Sequence, residues 1–180
     1  MRKKDSRKFI ILKSFFIVVL VVSSFLTIIS LMNNVVPSLI VNELQIVDVF
    51  LTKVTIIFSI AAIALLLFRK LWMPIRKDQN NVSNIMRKSW LFLKKRHVLF
   101  GWITAAAATA HSVYFLVFLP EQMDVVVSGS IVAIIMIILV ILGQYLNNKT
   151  KLNPLIGKVH LWLGVIFFIS LMYHFVDSHG

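Results

Sequence analysis

Five apolar runs, each long enough to cross a lipid bilayer as a helix, occupy most of this chain and leave little room for another architecture. They cover about residues 9–32, 47–71, 98–119, 129–146 and 157–176 of a 180-residue sequence that is 59% hydrophobic and 14% charged. About 20 apolar residues span the hydrocarbon core, where a helix pairs all of its own backbone polar groups. The sequence therefore predicts an all-α membrane protein, a five-helix transmembrane bundle forming a single integral membrane domain over residues 1–180.

The basic residues predict how this bundle is oriented. If the N-terminus is cytoplasmic, 18 of the 19 lysines and arginines fall on the inner side, and Lys53 alone falls outside, whereas acids such as Asp48 fall outside. Such an asymmetry is typical of a multi-pass cell-membrane protein, here with an extracytosolic C-terminus, and the composition suggests a bacterial one. The net charge of +12 is thus explained by topology, not by nucleic-acid binding. The first run is expected to be a retained signal anchor, because it is too long for a signal peptide and no cleavage site follows it.

Several kinds of chemistry are absent from the sequence. The chain has no cysteine, which excludes disulfides, thiolate metal sites and covalently attached c-type haem. No glycine pattern for nucleotide binding occurs in the loops, so any nucleotide chemistry is expected to come from a partner. Residues 83–96 form a basic amphipathic linker predicted to lie along the inner membrane surface, either as a plain linker anchored by Trp90 or as a docking surface for an electron donor.

Four histidines occupy matched positions in the third and fifth runs. His97 and His111 are 14 residues apart, and so are His160 and His174. Fourteen residues nearly complete four helical turns, so each pair shares a helix face with about 21 Å between its members. Because both helices run outward, His97 should face His160 near the inner surface and His111 should face His174 near the outer one. Each facing pair could ligate an iron from both sides, which predicts two b-type haems between the third and fifth helices and no catalytic side chain.

Other residues near the histidines are candidates for contacts with these haems. Gly101 and Gly164 each follow a histidine by four positions, where a missing side chain would either clear space for a porphyrin or allow close helix packing. Lys53 is expected either to pair with a propionate of the outer haem or to extend its amine toward the headgroups. Arg96 is placed similarly for the inner haem, although topology alone would account for its charge.

The paired histidine helices, separated by one plain helix, resemble the ferric reductase-like transmembrane domain, the superfamily of ferric-chelate reductases and NADPH oxidases. The resemblance covers about residues 47–176 and implies haem-ligand roles for His97, His111, His160 and His174. The cytochrome b of quinol-oxidising complexes has similar spacings. The family's cytosolic flavin and nicotinamide domain has no counterpart in these residues. The resemblance thus implies that a separate cytosolic flavoprotein or membrane quinol donates electrons to the haems and that an extracytosolic acceptor receives them.

The leading interpretation is a di-haem b-type cytochrome that carries electrons outward across the membrane as the haem subunit of an oxidoreductase. A metal or proton transporter lined by histidines is the alternative, although it would need polar ligands between the two histidine levels. A purely structural membrane anchor would tolerate alanine at all four positions.

Overall fold

A computed structural model of the chain describes residues 2–32, 38–75, 81–118, 123–148 and 154–179, with side chains described for 9–32, 43–74, 81–118, 124–148 and 154–176. These segments form five α-helices: α1 (Arg2–Leu31), α2 (Ser38–Ile75), α3 (Asn81–Phe118), α4 (Met123–Asn148) and α5 (Pro154–His179). All five are long and apolar enough to span a membrane. The predictions of an all-helical fold and of multi-pass membrane character are therefore confirmed.

Helix α3 is the central element of the bundle. It packs extensively against α2 and also against α1 and α4, whereas α5 packs mainly against α4. Helices α3 and α5 make little close backbone contact, because the cavities lined by α2, α3, α4 and α5 separate them. No described residue of α1 lines either cavity, so α1 is an outer support for α3.

Buried side chains form matching stripes on α1 and α3, and their apolar members lie in one cluster with buried residues of α2. Both stripes repeat at intervals of four, three and four residues: Val19, Ser23, Leu26 and Ser30 on α1, and Ile103, Ala107, Ala110 and Tyr114 on α3. These intervals place each stripe along one face of its helix. Alanines on the α3 stripe let the two backbones approach closely, as is common where helices meet in membranes.

All five helices are longer than the apolar runs that predicted them, and α2 and α3 exceed them most. We expected a loop over residues 33–46, but α2 begins at Ser38, and Leu44 is already buried. The linker 83–96 is helical as predicted, but it is the first part of α3 and not a separate surface helix, because no glycine or proline interrupts Asn81 to Phe100. Trp90 of this part stacks on Trp72 of α2 at 5.0 Å between ring centroids. The sequence predicts an inner loop over residues 147–158, but α4 continues to Asn148 and α5 begins at Pro154. Pro37 and residues 149–153 lie outside the described residues.

An apolar cluster lies between the two cavities and is named the middle layer here. It consists of buried side chains from α4 and α5, namely Val132, Met136, Phe167 and Leu171. Ala105 and Ala108 of α3 and Ile63 of α2 pack against it. Phe167 borders the cavity that contains His160, and Leu171 borders the one that contains His174.

Candidate functional site

Each of two cavities inside the bundle is lined by one histidine from α3 and one from α5. The first, named the 97/160 cavity, has a volume of about 490 Å³ and contains His97 and His160 in its wall. The second, the 111/174 cavity, has a volume of about 420 Å³ and contains His111 and His174. Both volumes lie in the range of small-molecule and cofactor sites, about 300–1,000 Å³. The pairing that the 14-residue spacing predicted is therefore present in the fold.

The imidazoles of the 97/160 cavity approach each other directly. The ring centroids of His97 and His160 are 6.0 Å apart, and the rings are nearly perpendicular. Two metal–imidazole bonds of about 2 Å each would fit between rings at this separation. The Nδ1 atoms of both rings are buried and have no hydrogen-bond partner among the described residues. Leaving such atoms unpaired costs about 1–3 kcal/mol each, which is tolerated where a site serves a ligand.

The rings of the 111/174 cavity are held by polar side chains. Nδ1 of His111 lies 2.9 Å from Oδ1 of Asp48 and 3.0 Å from Oγ1 of Thr52. The Thr52 hydroxyl donates its proton to the backbone carbonyl of Asp48, and an ionised carboxylate can only accept, so Nδ1–H of His111 is the donor to both. In the neutral imidazole this arrangement puts the proton on Nδ1 of His111 and leaves Nε2 able to bind a metal.

His174 has an equivalent arrangement through α4. Oγ of Ser128 lies 3.0 Å from Nδ1 of His174 and donates its proton to the carbonyl oxygen of Val125. The hydroxyl oxygen therefore accepts from Nδ1–H of His174. In the neutral form, both histidines of this cavity would carry their proton on Nδ1.

Two glycines of α4 lie directly against the histidine rings of α5. A Cβ added at Gly143 would lie 3.3 Å from Cε1 of His160, and one added at Gly129 would lie 3.0 Å from Cε1 of His174. The two glycines are 14 residues apart, the same spacing as the two histidines. Because α4 and α5 pack against each other as neighbours in the bundle, the matched spacing brings one glycine to each ring. The fourth apolar run contains no histidine, which favours a packing role alone, but α4 lies against both histidine rings of α5.

The glycines predicted from the histidine helices differ from each other in their surroundings. Gly101 and Gly164 both line the 97/160 cavity. A Cβ at Gly101 would make an ordinary contact with Val140 at 3.6 Å, which fits the helix-packing reading. A Cβ at Gly164 would meet nothing within 4 Å, and the same holds for Gly157, seven residues earlier in α5. Gly164 therefore leaves open space beside His160, which fits the cofactor-clearance reading.

The charged residues of the cavities agree only partly with the predictions. Lys53 lines the 111/174 cavity, as its predicted role requires, and its side chain is exposed. Arg96 does not line the 97/160 cavity; its guanidinium lies over Phe92 at 4.2 Å from the ring centroid, on the side of α3 away from the cavity wall. Arg69 and Lys94 line that cavity instead. Arg96 follows Lys94 by two residues, about 200° around the helix, which is why only one of them reaches the cavity.

Several site residues could not be identified by the reasoning applied to the sequence, but some left a signal in it. The 14-residue repeat of Gly129 and Gly143 was visible, as was the acid Asp48 next to an apolar run. Among the described residues no group of three or more histidines, aspartates or glutamates could hold a metal ion. Each cavity supplies two histidines as ligand candidates.

Comparison with protein-family models, with curated proteins and with solved structures found no match to this chain.

Proposed function

We propose that this chain is a di-haem b-type membrane cytochrome that carries single electrons between the two faces of the membrane. The observation that supports the proposal best is the pairing of α3 and α5 histidines in each of two stacked cavities. The two histidines on each helix are about 21 Å apart along the helix axis, a separation that would put one site near each membrane face. The membrane localisation, with a cytoplasmic N-terminus, follows from the basic residues.

In each cavity, the histidines would bind the iron of a haem and other residues would accommodate its macrocycle. His97 and His160 would ligate the inner iron, and His111 and His174 the outer one. The open space at Gly164 suits a flat macrocycle beside His160. When bound, haem supplies one-electron redox chemistry at its iron.

Cationic side chains at both cavities would neutralise the haem propionates. Lys53 is available at the 111/174 cavity, and Arg69 and Lys94 are available at the 97/160 cavity. Since 18 of the 19 basic residues fall on the predicted inner side, the inner cavity is also the end at which an acidic cytosolic donor would dock.

The direction and partners of electron transfer follow from the resemblance to ferric reductase-like domains. Electrons would enter the 97/160 haem from a cytosolic flavoprotein or from membrane quinol. They would leave the 111/174 haem to an extracytosolic acceptor, and the chain would act as the haem subunit of a transmembrane oxidoreductase. Electrons would tunnel from one haem to the other across the middle layer, without an intermediate carrier.

The test is a count of haem in the detergent-purified protein by oxidised and dithionite-reduced absorption spectra and by pyridine haemochrome. We expect two b-type haems per chain in the parent. His160→Ala should lose the haem of the 97/160 cavity and His111→Ala that of the 111/174 cavity. His179→Ala is the matched control, because it removes a histidine from α5 that does not belong to the 14-residue pattern, and it should keep both haems.

A folded, haem-supplied parent that contains no haem would contradict the proposal. Zn²⁺ or proton flux in vesicles that depends on the same four histidines would then favour the transporter. Loss of one haem on His179→Ala would contradict the assignment of the ligands.

A further inference from the structure

The two histidine pairs differ in what lies behind them. Nδ1 of His97 and of His160 have no hydrogen-bond partner among the described residues, whereas Nδ1 of His111 meets both a carboxylate and a hydroxyl. The 14-residue repeat explains the asymmetry. The α2 residue that follows Asp48 by 14 positions, and so lies on the same helix face, is Ala62, which lines the 97/160 cavity and has no polar group.

The carboxylate of Asp48 is unusually placed for an acid. Asp48 belongs to a helix that is long and apolar enough to span a membrane, and it is only 4% exposed. Among the side chains that the structure describes, the imidazole of His111 is the one basic group within 4.0 Å of it. A carboxylate in such surroundings is costly unless it has a specific partner, and it acts on that partner with little screening.

We infer that Asp48 is a positioning residue for the 111/174 site, which fixes the tautomer of His111 and lowers the reduction potential of the metal bound there relative to the 97/160 site. This inference rests on the proposed haem function. A carboxylate that accepts from Nδ1–H orients the ring with Nε2 toward the metal and makes the imidazole a more basic ligand. A more basic ligand and a nearby negative charge both favour the oxidised metal. The site would therefore suit an extracytosolic acceptor of low reduction potential.

The charge-removing variant Asp48→Asn tests this inference, because an asparagine oxygen can still accept from His111. In redox titrations followed by absorption, we expect the reduction equilibrium of the 111/174 haem to shift about tenfold toward the reduced form, about 59 mV for one electron. The 97/160 haem should not shift. Glu43→Gln is the matched control, because it removes an exposed acid from the same helix, and it should leave both potentials unchanged. Thr52→Val removes the uncharged acceptor and should shift the same haem less.

A second measurement works without haem and covers the case in which Asp48→Asn does not fold. The ¹⁵N chemical shifts of ¹⁵N-histidine in haem-free parent protein report the tautomer of each ring. We expect His111 with its proton on Nδ1, and Thr52→Val should keep it there. A proton on Nε2 of His111 in the parent would overturn the inference, as would an equal shift of both haems in Asp48→Asn or a comparable shift in Glu43→Gln. An absence of haem in the parent would instead contradict the proposed function, while the tautomer measurement would still test Asp48.

Discussion

The imidazole of His160 rests on a helix position that has no side chain. A methyl group at Gly143 would come within 3.3 Å of Cε1 of His160, which is closer than ordinary carbon contacts, so the ring must move by a few tenths of an ångström. We expect Gly143→Ala to reduce haem retention at the 97/160 cavity several-fold while the 111/174 haem is retained. The measurement is haem content per chain by pyridine haemochrome after size-exclusion chromatography.

Gly101→Ala is the control for that prediction, because Gly101 lines the same cavity but a methyl group there makes an ordinary contact at 3.6 Å. It should keep both haems and even stabilise α3 by about 0.5–1 kcal/mol, the helix-propensity difference between the two residues. Equal haem loss in both variants would show that glycine matters for helix packing and not for the position of the His160 ring.

The histidine pairing could be predicted from the sequence, whereas the groups behind the rings could not. Spacing within one helix fixes which side chains share a face, and this was enough for His97, His111, His160 and His174. Finding Asp48 required the relative height of α2 and α3, which depends on how the two helices pack. The wrong placement of Arg96 has a different cause, because its position about 200° around α3 from Lys94 turns its side chain toward Phe92.

At the scale of elements, α1 packs against α3, and none of its described side chains lines either cavity. Ala107 is fully buried in the apolar cluster that α3 shares with α1 and α2. We expect Ala107→Leu to separate these helices and to lower the free energy of unfolding by about 1–3 kcal/mol, the usual cost of overpacking. Haem content at 4 °C should stay unchanged, because no described α1 residue lines a cavity. Thermal unfolding in detergent measures the first effect and absorption spectra measure the second.

Thr109→Leu is the matched control for α1 docking, since Thr109 is exposed two residues further along α3. It should unfold at the parent's temperature. Loss of haem from Ala107→Leu without a loss of stability would contradict this prediction, because it would show that the substitution disturbs the cavities directly.

The number and type of helices could be predicted because apolar length determines them. The start of α2 at Ser38 could not, because its first turns are less apolar than its centre.

At the scale of the whole molecule, the orientation is open to a direct test because the chain has no cysteine. Single cysteines introduced by Lys88→Cys and Asp124→Cys replace exposed side chains near opposite ends of the bundle. We expect a membrane-impermeant maleimide to label the Asp124→Cys protein in intact cells and the Lys88→Cys protein only after the membrane is opened. The reverse pattern would contradict the orientation that the basic residues predict.

The middle layer has a consequence for the cell that carries this protein. Val132, Met136, Phe167 and Leu171 offer no hydrogen-bonding group to water or to a hydrated ion. A proton needs a continuous chain of such groups, whereas an electron tunnels through apolar matter over short distances. If the chain carries electrons as proposed, this layer would oppose the passage of ions between the two cavities, and electron transfer would leave the ionic gradients of the cell intact.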